Sequence, residues 1–341
     1  MGKFGTEQMK QWMRVFFVGI GMLLVTFVVA VPVNPAVAAP VAPSLSVQVM
    51  PRTLRPANAG IVIVDGGYPL NVSVTLNNKP LDVYWTGKSY LAVFAFGFDA
   101  SPGSYQIAVR AENPATGERI IENETVMVSE YAYPRETISL PSRLIPLLGT
   151  DLNVNEQDEL ESIYALRTQP VKWSWPFGLP VLNGAITSQF GGDRAYNGGL
   201  WYQHHTGVDF RGEVGDPILA AAAGQVVTAQ HFDVRGNVII LDHGYGVFSE
   251  YAHLSEIVVQ PGQIVQRGQL LALAGATGRT NGPHLHFEII VNGQPVDPIR
   301  WLALSPAFVA PPEVPARQPA EPIAPEPTAD FTPTPEAETG G

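Results

Sequence analysis

The chain has no cysteine among its 341 residues. Disulfides, thiolate metal sites, cysteine nucleophiles and a lipid-modified cysteine are therefore all excluded. Basic residues are fewer than acidic ones, 20 against 31, for a formal net charge of −11. An acidic chain is a poor match for nucleic acid, and no nucleic-acid partner is expected. Histidine is absent from the first 203 residues. The first half of the chain is therefore not where imidazole chemistry occurs. Convincing helical periodicity is also scarce. Glycine and proline are plentiful, 33 and 31 residues, with glycine mostly between short apolar runs. That distribution points to short strands and turns, and a mainly β fold is expected.

Lys3, Lys10 and Arg14 precede an apolar run from Val15 to Val31, followed by Ala36-Val37-Ala38. Positive residues, an apolar stretch and a small-x-small site are the marks of a secretory signal peptide over 1–38, cut after Ala38. The apolar run is also near the length of a membrane anchor, and an uncleaved anchor stays open. Either way, a secreted or extracytoplasmic location is expected.

Residues 44–128 read as an all-β module. Tyr105, Ile107, Val109 and Ala111 share one face of a strand by period-two spacing, as do Val62 with Val64 and Val72 with Val74. The approach Asp99-Ala100-Ser101-Pro102-Gly103-Ser104-Tyr105 is similar to an immunoglobulin-like tyrosine corner, so an Ig-like β-sandwich is expected. Without histidine it is read as a targeting, inhibitory or spacing module. A connector, 129–171, contains one helix expected over 156–167, capped by Asn155, with Leu160, Ile163 and Tyr164 on one face. A second β-rich module spans 173–304 and is expected to work without the first half. The tail, 305–341, is rich in Pro, Ala, Glu and Thr and cannot build a core.

All seven histidines fall between His204 and His286. His205 and Asp209 are four apart with Gly207 between them, so an extended backbone puts both side chains on one face. Imidazole and carboxylate are both zinc donors. In His284-Leu285-His286-Phe287-Glu288 the two histidines and Glu288 share a strand face opposite Leu285 and Phe287. Residues two apart on a strand are about 6.6–6.8 Å apart, room for one to bind a metal and the other to handle a proton. His253 stands in Tyr251-Ala252-His253-Leu254. His204 is one residue out of phase with His205 and should point away, His243 reads as a hairpin-turn residue, and His231 reads as a loop residue.

Together, H-x-x-x-D, Y-x-H-L and H-x-H resemble the zinc endopeptidases of the lysostaphin and LytM type, the β-lytic-like cell-wall hydrolases. The likeness extends over about Trp173 to Trp301 and includes Thr187-Ser188-Gln189-Phe190-Gly191, Gly207-Val208-Asp209-Phe210 and Gly275-Ala276-Thr277-Gly278. It implies an antiparallel β peptidase domain with one Zn2+, held by His205, Asp209 and His286. It also implies catalytic roles for His284 and His253, with base and oxyanion stabiliser not distinguished between them. The implied reaction is hydrolysis of peptidoglycan stem peptides or cross-links by metal-activated water; separately, a monomer is expected. Tyr196, Asn197 and Glu288 are the expected substrate-groove residues, with Tyr202 a competitor, and Glu288 is also read as a partner that orients a histidine. The alternative is a non-catalytic LytM-like factor that binds the wall and activates a separate amidase. Such factors typically lose metal ligands, whereas every position of the motif is filled here.

Overall fold

The computed structural model describes residues 45–304, apart from 68, 174–175, 183 and 200–202. The leader, the tail and Tyr202 lie outside the described residues.

The first β module folds as two sheets. One has four strands in the order Ser46–Met50, Ala59–Asp65, Tyr90–Ala95, Val83–Trp85. The other has five, in the order Thr53–Leu54, Arg119–Val128, Gly103–Glu112, Asn71–Leu76, Lys79–Leu81. The period-two residues meet between them: Val62, Val64, Ala92 and Phe94 of the first sheet pack with Val74, Ile107, Val109 and Val126 of the second. The Tyr105 hydroxyl donates to the Ser101 carbonyl, 2.9 Å away.

The module is not free-standing. Alternate residues of the four-stranded sheet, Ile61, Leu91 and Val93, face away from the sandwich core and pack with Trp173, Phe177 and Trp301. That sheet is therefore buried on both faces, and period-two alternation fades in the run Tyr90–Phe94. Asn292 donates to the Val93 carbonyl and ties the second half of the chain to the same strand.

The second half is built on an eight-stranded sheet. Its order is Ile186–Ser188, Val208–Arg211, His284–Val291, Val247–Leu254, Gly236–Gly244, Gly224–Phe232, Ile264–Val265, with Gln294–Val296 paired to the strand that starts at His284. Every pairing in this sheet is antiparallel. One face carries Tyr251, Leu285, Phe287 and Ile289 into the main core. On the other side Val238, Ile240, Phe248 and Ile290 pack against Leu160 and Tyr164 of the connector helix.

That helix runs Thr150–Tyr164, six residues earlier than the sequence suggests, and Asn155 lies inside it. A short 3-10 helix, Ser142–Leu148, leads into it. Gly149 separates the two, and Asp151 occupies the first turn where the helix dipole favours a negative charge. Among the described residues, no side chain caps the N–H groups at the helix start, and Asn153 donates to the Gly149 carbonyl at 2.6 Å. Leu160 and Tyr164 are buried as their spacing predicts. Glu156 is buried too, although helical spacing offers no apolar reason for it.

His243 is not an exposed turn residue. It ends the strand Gly236–Gly244 fully buried, with Nδ1 against the Ala223 carbonyl and Nε2 against the Ser249 hydroxyl, both at 2.8 Å. The expected turn lies just beyond it, where Tyr245 and Gly246 take positive φ. Burial lowers the pKa of His243 to about 4, with a smaller opposing effect from its hydrogen bond to Ala223. The unfolded chain thus binds a proton here between about pH 6.5 and 4 while the folded chain does not. The stability contributed is complete above pH 6.5 and falls as pH drops toward 4. The expected slope from this residue approaches ~1.4 kcal/mol per pH unit within the window. Urea melts of wild type and His243→Gln across pH 4–7 check it: the variant should show the shallower dependence. His231 behaves as a surface residue, exposed and paired with Asn237 at 2.9 Å.

Candidate metal centre

Strand register builds the site. In the antiparallel pair of Val208–Arg211 with His284–Val291, Asp209 lies opposite His286, and Arg211 opposite His284. On the other side of the same central strand, Ala252 lies opposite His286, which delivers His253 to the edge of the cluster. His205 enters from the turn before Val208. Gly207 permits the approach: a Cβ there would lie 2.5 Å from the Phe287 carbonyl oxygen and 2.8 Å from the His286 ring.

Three atoms converge. His205 Nε2 is 3.0 Å from Asp209 Oδ1 and 3.1 Å from His286 Nδ1, and His286 Nδ1 is 2.8 Å from Asp209 Oδ1. The remaining ring nitrogens are already engaged. His205 Nδ1 donates to the Gln189 carbonyl at 2.7 Å, and His286 Nε2 donates to Glu288 Oε1 at 2.8 Å. With those protons placed, the three converging atoms are all acceptors. Acceptors crowded together in a buried place require a cation, either a proton or a metal. Their spacings are close to the edge of a zinc tetrahedron, about 3.3 Å for ligand bonds near 2.0–2.1 Å. The donor set fits such an ion.

The electrostatics agree. Burial works against the Asp209 carboxylate, but His205, Arg194 and His284 outweigh it and hold its pKa well below the usual range. Arg194 donates to Asp209 Oδ2 at 2.9 Å and leaves Oδ1 for the cluster. Burial, helped by the Arg194 charge, pushes His205 down, so it stays neutral and able to ligate. Burial also disfavours charge on His286, but its hydrogen bonds to Asp209 and Glu288 raise its pKa to about 9. Without a metal it is that proton which satisfies the cluster.

His284 and His253 stand beside the triad, with ring centroids 4.8 Å apart. His284 Nδ1 donates to the Gly282 carbonyl at 2.9 Å and its Nε2 lies 3.7 Å from Asp209 Oδ1. His253 Nδ1 donates to the Thr277 carbonyl at 2.8 Å. Burial drives the pKa of both below that of a free imidazole. His253 also has φ of +62°, a left-handed backbone uncommon outside glycine, secured by its N–H on the Arg235 carbonyl.

The other expected residues divide. Glu288 is buried and touches His286 as expected. Tyr196 lines a small cavity, about 50 Å³, that opens beside His205, His253 and His286. Asn197 is not among the residues lining it. Asn197 takes φ of +50° at a turn and accepts the Leu140 N–H at 2.7 Å, so it holds the connector. His204 points away from the donor atoms and stacks on Phe98 with ring planes 9° apart. The small cavity adjoins a cleft of about 690 Å³ whose far wall is the connector helix and which shares Tyr196, Gln203, Val234 and Arg235 with it. Sequence reasoning missed Arg194, Arg235 and Arg279. The last donates to the Asn153 side chain and to the Leu147 carbonyl, and pins the connector at the cleft. No spacing rule marks such residues, because their partners lie far away in the chain.

Residues 203–298 match peptidase family M23. Among curated proteins, the peptidoglycan DD-endopeptidase ShyB of Vibrio cholerae is 43% identical over 96 residues, 28% of this chain and 22% of that protein. The DD-carboxypeptidase/endopeptidase Mpg of Neisseria meningitidis is 40% identical over 95 residues, again 28% of this chain and 22% of the relative. The chain thus matches about a fifth of the length of these relatives. A solved Pseudomonas aeruginosa structure described as a peptidase M23 superposes with a TM-score of 0.53 at 28% identity, covering 73% of this chain and 94% of that one. The strands Val208–Arg211, Val247–Leu254 and His284–Val291, which assemble the His and Asp cluster, lie within residues 203–298, the segment that matches peptidase family M23.

Proposed function

We propose that the chain is an extracytoplasmic zinc endopeptidase that hydrolyses peptide bonds in the stem peptides or cross-links of peptidoglycan. The observation that carries this reading is the convergence of three buried acceptor atoms, from His205, Asp209 and His286, beside two histidines whose Nδ1 atoms are already committed. A bound zinc supplies Lewis acidity there, lowering the pKa of water toward neutrality and polarising a peptide carbonyl. His205, Asp209 and His286 hold it. His284 presents Nε2 as an acceptor, takes the proton of the attacking water and returns it to the leaving amine. His253, backed by the Thr277 carbonyl, likewise offers Nε2 only as an acceptor while neutral. Once protonated, either ring can donate to the oxyanion, so the pair shares base and stabiliser duties. The substrate peptide lies in the cleft between Tyr196 and the connector helix, with its scissile bond at the small cavity beside His253.

The presence of His205, Asp209 and His286 together favours this reading over a wall-binding factor without catalysis, and the DD-endopeptidase relatives support the substrate class. Purified wall sacculi digested with the protein, with fragments read by mass spectrometry, test it. New termini should appear within stem or cross-link peptides, should vanish with a chelator, and should return with zinc. Release of intact stem peptides from the glycan, or no cleavage with zinc bound, would overturn it.

A further inference from the structure

Two partly buried arginines flank the metal centre, and each meets a carboxylate from the connector. Arg194 donates to Asp209 Oδ2 at 2.9 Å and to the Ser188 hydroxyl at 2.8 Å, while its Nε faces Glu136 Oε2 at 3.3 Å. Glu136 belongs to the strand Arg135–Ile138, which pairs in parallel with Asp193–Tyr196 and so brings its carboxylate to Arg194. Arg235 reaches three carboxylates: Glu250 at 2.6 Å, Glu156 at 3.0 Å and Glu288 at 3.5 Å. Glu288 in turn accepts from His286. Glu156 sits on the connector helix. Its two oxygens also accept the N–H groups of Val234 and Arg235, at 2.9 and 3.2 Å, and so fix the hairpin that presents Arg235.

That hairpin also governs His253. The Arg235 carbonyl accepts the His253 N–H, and the Val234 carbonyl accepts the Arg279 N–H. Asn237 donates to the Thr277 hydroxyl, in the loop whose carbonyl orients the His253 ring. One connector carboxylate is therefore linked to a proposed ligand by way of Arg235 and Glu288, and to a proposed catalytic histidine by way of the hairpin. The other is linked to Asp209 through Arg194.

We infer that the connector completes the metal centre: Glu136 through Arg194, and Glu156 through Arg235, are positioning residues that fix Asp209, His286 and His253. The physical reason is directional. A carboxylate ligand can rotate or chelate with both oxygens, and Arg194 prevents this by occupying Oδ2. An imidazole ligand is aimed by the partner of its other nitrogen, and Glu288 does this only while Arg235 offsets its buried charge. Each arginine takes one of its acceptors from residues 129–171: Glu136 at 3.3 Å for Arg194, alongside Ser188, and Glu156 at 3.0 Å for Arg235, alongside Glu250 at 2.6 Å. A chain beginning near Val171 would lack both glutamates. This rests on the reading that the centre binds zinc.

The test uses the whole protein with Glu136→Gln and Glu156→Gln. Glu159→Gln serves as control, an exposed change on the same helix whose partner is Gln230. Zinc affinity by competition with a chromophoric chelator, the visible bands of the cobalt-loaded protein, and kcat and KM on a short peptide are measured alongside thermal unfolding. Each of the two variants should weaken zinc affinity or kcat by about tenfold to a hundredfold. KM should change little, the cobalt bands should shift, and the control should match wild type. Arg235→Lys should reproduce Glu156→Gln, and the pair combined should cost less than the sum of the two changes. Should Glu156→Gln fail to fold, Glu156→Asp, which withdraws the same charge by one methylene, is read in its place. Variants with lower melting temperature but wild-type zinc affinity, cobalt bands and kcat would reduce both glutamates to structural roles and overturn the inference. Wild type that binds zinc but cleaves nothing overturns the proposed function alone, because affinity and cobalt bands still decide the connector's part. Wild type that binds no zinc overturns both.

Discussion

His205→Ala and Asp209→Ala are each expected to yield folded protein that purifies with little zinc and hydrolyses wall peptides at least roughly a thousandfold more slowly than wild type. The core supports the first half of this expectation. Neighbouring residues Val208, Phe210, Leu285 and Phe287 are buried in the main cluster and do not depend on the removed side chains. The second half follows from the number of donors. With three protein ligands and one open position, losing one leaves two, too few to hold a catalytic zinc against water. Asp209→Ala also leaves Arg194 without its nearest carboxylate beside two imidazoles, so positive charge repels the cation as well. Elemental analysis after gel filtration, together with a peptide assay, checks both variants. Full zinc occupancy in either would remove that residue from the ligand set.

The second large effect separates ligands from proton handlers. His284→Ala and His253→Ala should keep one zinc per chain and lose about a hundredfold to ten-thousandfold in kcat. Neither ring contributes to the converging triad, and each spends its Nδ1 on a backbone carbonyl. Retention of zinc with loss of turnover is the signature to look for. If His284→Ala sheds zinc while His286→Ala keeps it, the two histidines of the H-x-H pair exchange roles. His253 has a further constraint: its backbone is left-handed, so His253→Gly should relax the local strain and His253→Ala should not. Loss of turnover in both, despite that difference, would assign the effect to the ring.

The cluster motifs were readable in the chain because their geometry is local. His284, His286 and Glu288 share a strand face by period two, and His205 and Asp209 meet across Gly207 within one turn and the first residues of a strand. Sheet pairing then only has to bring two short segments into register. The connector contact of Asn197 was not legible, because a polar residue at a left-handed turn looks the same in sequence whether or not its partner, here the Leu140 N–H, is known. His243 was misread because the turn it borders conceals that its own ring points inward to Ala223 and Ser249.

Short-range residue patterns were enough to show the β character, the position of the helical connector to within a turn or two, and the set of side chains able to converge on a metal. These depend on residue types at fixed short spacings, and backbone geometry converts such spacings directly into shared faces. Packing was needed to reveal that the sandwich shares a core with the second half, that the helix starts at Thr150, and that Glu136 and Glu156 reach the arginines beside the centre. Those ion pairs join residues 58 and 79 positions apart. At such separations no periodicity links the partners, and a lone glutamate on a helix is usually solvated. Its burial becomes legible only when the fold removes it from water and supplies an arginine that needs it.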